Sequence, residues 1–245
     1  LDGDYNKALE GSNNAKQSSR YKNIVPVYLV QIYFARGQYS DVIREGKGLV
    51  NNNSIRERNQ VAQLVGQSYF ELGNYRQALP LLEQYVTATP KVRKEDLYQL
   101  GYTQYKVGKY QESIENFKQL NTLNDSLGQS ALYYLADAEL KVGKKPAARQ
   151  AFQKASKMTF NKALQEDALI NYAKLSYELG FDSDAITALQ TVPNTSDYYN
   201  EAQNLMASVF LNTRDYNKAL QILRKLPNKT AKLQETHQKV AYFKG

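Results

Sequence analysis

The chain has 245 residues, 42% of them hydrophobic and 23% charged, and a formal net charge of +8. It has no cysteine and one histidine, His237. That composition excludes disulfides, thiolate metal sites, a cysteine nucleophile and a histidine pair for metal, and leaves a Ser-His-Asp set without a credible source.

Helical periodicity runs through the chain from its start. Residues 4–17 read as a first helix, with Gly3, Tyr5 and Ala8 in the register of later turns, followed by a polar tract from Gly11 to Ser19. Helices are predicted over 23–36 and 39–51, and Ser54 is positioned as an N-cap for the next. Two helices at 55–72 and 75–88 are ended by Pro90. The spacing then predicts pairs at 93–107 and 110–122, at 126–142 and 145–157, and at 163–179 and 182–191. Asn124-Asp125-Ser126 offers a cap before the second of these pairs, and Val192-Pro193-Asn194 closes the third. A last full pair at 197–212 and 216–225 ends at Leu226-Pro227-Asn228, and residues 230–244 read as a first helix without its partner. No apolar run approaches the roughly 18 residues needed to cross a membrane.

The pairs are copies of one unit. Gly37, Gly73, Gly108, Gly143 and Gly180 each stand at the break between two runs, 36, 35, 35 and 37 residues apart, and Arg214 takes the same place 34 residues later. The following helix carries a small residue at Ala78, Ser113, Ala148, Ala185 or Ala219, then a large apolar one at Leu82, Phe117, Phe152, Leu189 or Leu223. Val42 and Gly46 depart from both rules. One hairpin cannot bury both its apolar faces, so regular spacing of this length predicts an all-α solenoid of stacked antiparallel helix pairs.

The clearest copy is Gly66, Tyr69, Gly73, Tyr75, Ala78, Leu82 and Pro90, and this pattern resembles the tetratricopeptide repeat. Gln104, Glu139 and Ser176 stand where Tyr69 does and depart from it. The resemblance covers essentially the whole chain and implies one right-handed superhelical array. Its repeats are expected at about 21–54, 55–90, 91–125, 126–160, 161–195 and 196–228, with half repeats at 1–20 and 229–245. First-helix runs such as those at Leu97 and Ala131 are also similar to bacterial cell-envelope members of the family. With the absent cysteines, this favours an exported or periplasmic location over the cytoplasm. Leu1 is not a natural start, and neither end shows a polar cap. The chain is therefore expected to be an excerpt of a longer one, whose cut ends could pair molecules end to end.

In this family the first helices line a concave groove that binds a peptide or a partner protein. By register, the resemblance places Tyr28, Gln67, Phe70, Tyr98, Tyr102, Tyr105, Tyr133, Asp137, Asn171, Lys174 and Tyr177 there, together with Gln31, Gln63 and Asn204. Tyrosine offers large contact area and a polar handle at small entropic cost. Some of these rings would instead fill space between first helices. The carboxylate clamp of some family members finds only Asn171 and Lys174 as a near approach.

Residues 209–245 carry eight basic side chains against Asp215 and Glu235. They read as solvated helix faces, or alternatively as a patch for an acidic partner, lipid or nucleic acid. Glu95-Asp96 and Glu166-Asp167 lie near helix starts, where the helix dipole explains them. The expected function is a non-enzymatic protein-binding scaffold with no cofactor, no metal and no small-molecule substrate. Two alternatives remain. One is a nucleic-acid-binding helical repeat, disfavoured because basic residues are sparse in the central repeats. The other is a structural spacer or oligomerisation arm.

Overall fold

A computed structural model describes residue 7, residues 10–12, residue 15, residues 21–225 and residues 231–244. Residues 7, 10–12 and 15 are helical, no strand is found among the described residues, and thirteen further helices have their bounds among them. They are α1 (Val25–Ala35), α2 (Tyr39–Gly46), α3 (Arg58–Glu71), α4 (Tyr75–Ala88), α5 (Lys94–Lys106) and α6 (Tyr110–Lys118), then α7 (Ser126–Lys141), α8 (Lys145–Ser156), α9 (Lys162–Glu178), α10 (Asp182–Gln190), α11 (Tyr199–Asn212), α12 (Tyr216–Lys225) and α13 (Ala231–Lys244). None is long and apolar enough to cross a membrane. The helix expected at 4–17 and the break at 226–228 fall largely outside the described residues.

The chain divides into two compact units, residues 1–117 and residues 118–245. Within the first, α1 packs on α2 and α3 on α4, each second helix packs on the next first helix, and α1, α3 and α5 touch in succession. The second unit repeats the scheme, with first helices α7, α9, α11 and α13 in succession and α8, α10 and α12 between them. This is the contact pattern of a stacked-hairpin solenoid, in which each hairpin buries its faces against its neighbours.

The turn inside each hairpin has one geometry, which explains the glycine register. Gly73 has φ +73°, and its N–H donates to the Phe70 carbonyl at 2.9 Å while the Asn74 N–H reaches the Tyr69 carbonyl at 2.8 Å. That pair of bonds closes the helix end with a left-handed residue and starts the next helix at once. The same pair recurs at Gly37, Gly108, Gly143 and Gly180. Arg214 makes it too, at φ +61°, against the steric preference of a residue with a β-carbon.

Close approach of the two helices is set by small residues. A β-carbon on Gly101 would sit 3.1 Å from the Phe117 ring, and Ser113 Oγ donates to the Gly101 carbonyl at 2.8 Å. The departure at Val42 and Gly46 is a complementary exchange. Val30 and Val42 are fully buried in the first hairpin, and a side chain on Gly46 would run into Val65. Bulk has moved from one helix position to another while the core stays filled.

Caps follow the sequence in part. Asp125 and Asn161 accept from the N–H groups of Gly128 at 2.8 Å and Leu164 at 3.1 Å. Ser54 is not an N-cap. Its N–H donates to Asn52 Oδ1 at 2.9 Å in a local turn, and α3 starts only at Arg58. Asparagine competes with helical bonding in this way. The second helix expected to reach residue 51 stops at Gly46, where Gly46 and Gly48 weaken helical propensity.

Candidate functional site

Asp96, on α5, is 1% exposed and therefore needs partners. It accepts from Gln63 Nε2 at 3.0 Å, Gln67 Nε2 at 2.9 Å, Tyr85 Oη at 3.3 Å, and Arg93 Nε and Nη2 at 2.9 Å each. One carboxylate thus ties α3, α4 and α5 together. It does more than complement the helix dipole, and it takes up the amide of Gln67, which the register places on the first-helix face. Burial pushes the Tyr85 hydroxyl above its ordinary range, and the adjacent Asp96 charge adds to the rise.

Above this knot, the first unit gathers aromatic rings from three helices. Phe70 of α3 meets Tyr75 of α4 and Tyr102 of α5 edge-on, each at 5.7 Å between centroids. Tyr75 and Tyr102 are 5.8 Å apart, which closes the triangle. Tyr98 stacks beside Tyr102 at 6.0 Å with planes 19° apart, and Tyr105 lies 6.3 Å from Tyr102. The Lys106 ammonium is 5.6 Å from the Tyr75 ring and 5.8 Å from that of Tyr102, within cation–π reach. All five rings are half-buried. Their faces pack together while part of each remains accessible. Tyr75 and Lys106 were not among the residues expected on this face. Tyr75 belongs by register to a second helix, yet it sits at that helix's first position, beside the turn. Tyr28, by contrast, is 56% exposed at the other end of the unit.

In the second unit the expected residues do structural work as well. Tyr133 donates its hydroxyl to Asp167 Oδ2, and Tyr198 donates to Oδ1 at 2.9 Å. Asn171 Nδ2 donates to the Asp167 carbonyl at 3.0 Å. Desolvation, then the carboxylate, pushes the Tyr133 hydroxyl far up and the Tyr198 hydroxyl up to about 12. Asp167 therefore bridges α7, α9 and the start of α11, which the dipole reading did not anticipate. Lys174 is paired with Glu201 at 2.6 Å, and Asp137 and Tyr177 are half-buried. Asn204 keeps its buried Oδ1 without a hydrogen-bond partner among the described residues. In the basic carboxy-terminal region, Lys218 pairs with Asp215 at 2.9 Å and Lys239 with Glu235 at 2.6 Å. Half-buried His237 makes no metal cluster, and none is found among the described residues.

The second-helix side carries clefts that the sequence reading did not reach. One of about 290 Å³ in the first unit is lined by Lys47, Val50, Val65, Tyr69, Gln77, Pro80 and Leu81. Two in the second unit, of about 220 and 580 Å³, use the same register. Val65, Leu135 and Tyr172 are equivalent floor positions, and Lys47, Lys118 and Gln153 are equivalent rim positions. The same register positions therefore recur in these clefts, with a different lining each time. Glu139, noted in the sequence only as a departure from tyrosine, lies in the smallest.

Consecutive helix hairpins, left-handed turn residues at a 34–37-residue spacing and first helices in succession define a helical-repeat protein of the tetratricopeptide type. The chain belongs to the tetratricopeptide repeat protein 21 ARM repeat family, which matches residues 53–215. Curated proteins give no sequence match. Among solved structures, MamA is similar at 20% identity and TM-score 0.57, over 77% of this chain and 97% of that one. MamA from Desulfovibrio magneticus RS-1 is similar at 16% and 0.53, over 74% and 95%. The structure of Naa15/Naa10 bound to HypK-THB is similar at 14% and 0.67, over 98% of this chain and 37% of that one. These likenesses concern the fold.

Proposed function

We propose that the chain is a non-catalytic scaffold that binds a peptide segment of a partner protein on the first-helix face of its first unit. The single observation that carries this reading is the cluster of Phe70, Tyr75, Tyr98, Tyr102 and Tyr105 under Lys106. Its rings are fixed by mutual edge and stacking contacts yet half-accessible. Preordered aromatic groups lose little freedom on binding, so the contact area they offer is used efficiently. In the second unit Tyr133, the counterpart of Tyr98, and the expected groove residue Asn171 are committed to Asp167, so the first unit is the stronger candidate. Placement in the bacterial cell envelope belongs to the same reading and rests on the first-helix likeness described above.

The test is selection of a random displayed-peptide library on the intact chain and on a Tyr98→Ala/Tyr102→Ala variant shown by circular dichroism to keep its helicity. Peptides retained by the parent and lost by the folded variant support the reading, and equal retention by both overturns it. Retention that survives high salt separates aromatic docking from a phosphate-led mode, which would collapse.

A further inference from the structure

Five of the six hairpin turns place glycine in the left-handed region, and the sixth places Arg214 there at φ +61°. A β-carbon disfavours that conformation, so the arginine is held against local preference. It is exposed, and no carboxylate among the described residues pairs with it. Residues 209–245 carry eight basic side chains and only two acids, Asp215 and Glu235. Those two acids pair with Lys218 at 2.9 Å and Lys239 at 2.6 Å, so an excess of positive charge remains.

The same turn adjoins two protruding rings. Tyr242 is 81% exposed and Phe243 is 57% exposed, both near the end of α13. Phe243 stacks on Tyr216, the first residue of α12, at 5.9 Å with planes 17° apart, and Tyr242 meets Phe243 edge-on at 5.5 Å. Tyr216 lies two residues from Arg214, so this stack sets the strained cation beside the rings. Lys218 follows Tyr216 by two residues and Lys239 precedes Phe243 by one helical turn, and both side chains are largely exposed. The result is an aromatic tip among cations, the reverse in shape of a cleft.

Charge selects an anionic occupant, and shape selects among anions. A pocket in an acidic protein would have to match two adjacent side chains that leave the helix about 100° apart. Nucleic-acid stacking needs open ring faces, and Phe243 already has one face on Tyr216. A bilayer interface closes around protruding groups without a matching pocket. It takes up aromatic side chains at headgroup depth, while anionic lipids attract lysine and arginine. We propose that the Arg214 turn and the end of α13 dock the second unit on an anionic lipid surface. Tyr242 and Phe243 enter the interface, and Arg214, Lys218 and Lys239 meet the lipid phosphates. This surface does not depend on the aromatic face of the first unit.

The test is co-sedimentation of the intact chain with vesicles of phosphatidylcholine alone and of phosphatidylcholine with about 30% phosphatidylserine. Binding to the anionic vesicles should be stronger by about tenfold or more and should weaken as salt is raised. Tyr242→Ala/Phe243→Ala should lower it about tenfold, with helicity kept by circular dichroism. Arg214→Gly should lower it about fivefold yet melt at or above the parent, because glycine suits the left-handed turn. An arginine that served the turn alone would leave vesicle binding unchanged on that substitution. Equal binding to both vesicles, or unchanged binding by either variant, overturns the proposal. So does failure to sediment with vesicles. Binding of polyglutamate or of a single-stranded oligonucleotide in that case would assign the patch to an acidic protein or to nucleic acid instead.

Discussion

Asp96 and Glu139 are both carboxylates on first helices, 1% and 5% exposed, yet their surroundings are opposite. Asp96 receives five N–H and O–H bonds from four side chains on three successive elements. Glu139 receives none from the described residues and opens to a cleft. Burial alone therefore does not define the role of an acidic group in a repeat array. The donors around it decide whether it holds neighbouring hairpins together.

The contrast is broken most strongly by Asp96→Ala. It leaves the amides of Gln63 and Gln67 buried without an acceptor, and should cost about 3 kcal/mol in denaturant unfolding of the chain. Arg93→Met removes one donor of the set. The arginine side chain is 61% exposed, so solvent screening limits the loss to about 1 kcal/mol in the same assay.

Glu139→Gln sharpens the comparison from the other side through its pH dependence. Burial raises the Glu139 carboxyl above its ordinary value of 4.5, with Lys118 and Lys144 opposing the rise. An acid with a raised folded-state value stabilises the fold only while protonated, and that stability is lost as pH increases through the folded value. The variant should therefore melt about 2–4 °C above the parent near pH 7, with the gap closing as pH falls to 4.5 and below. Lys145→Ala should do least. Its pair with Glu178 is 3.0 Å long but both side chains are 50% exposed, so the midpoint of unfolding should move by less than about 0.5 kcal/mol.

Much of the backbone was legible because its causes are local. A residue in the left-handed region is required at each hairpin turn, and glycine at five of the six places gave the period directly. The sixth, Arg214, was found by spacing. The exchange of bulk between Val42 and Gly46 was visible only as two irregularities, because its compensation lies in Val30 and Val65 on other helices. Ser54 misled because a good capping residue also suits a turn, and Asn52 secured it there.

The proposed binding face was legible as a set of tyrosines and less so as a site. Register put Gln67 and Tyr133 on the first-helix face, but whether their polar ends face a partner depends on Asp96 and Asp167, 29 and 34 residues away in sequence. Tyr75 and Lys106 join the cluster because the turn brings the ends of two helices together. Sequence by itself determined the all-α repeat, its period and the tetratricopeptide character of its hairpins, since these follow from helix periodicity and turn conformation within each copy. Tertiary structure decided which polar groups were spent on internal bonds and which were left open, because hydrogen bonds between successive hairpins form only when the copies are stacked.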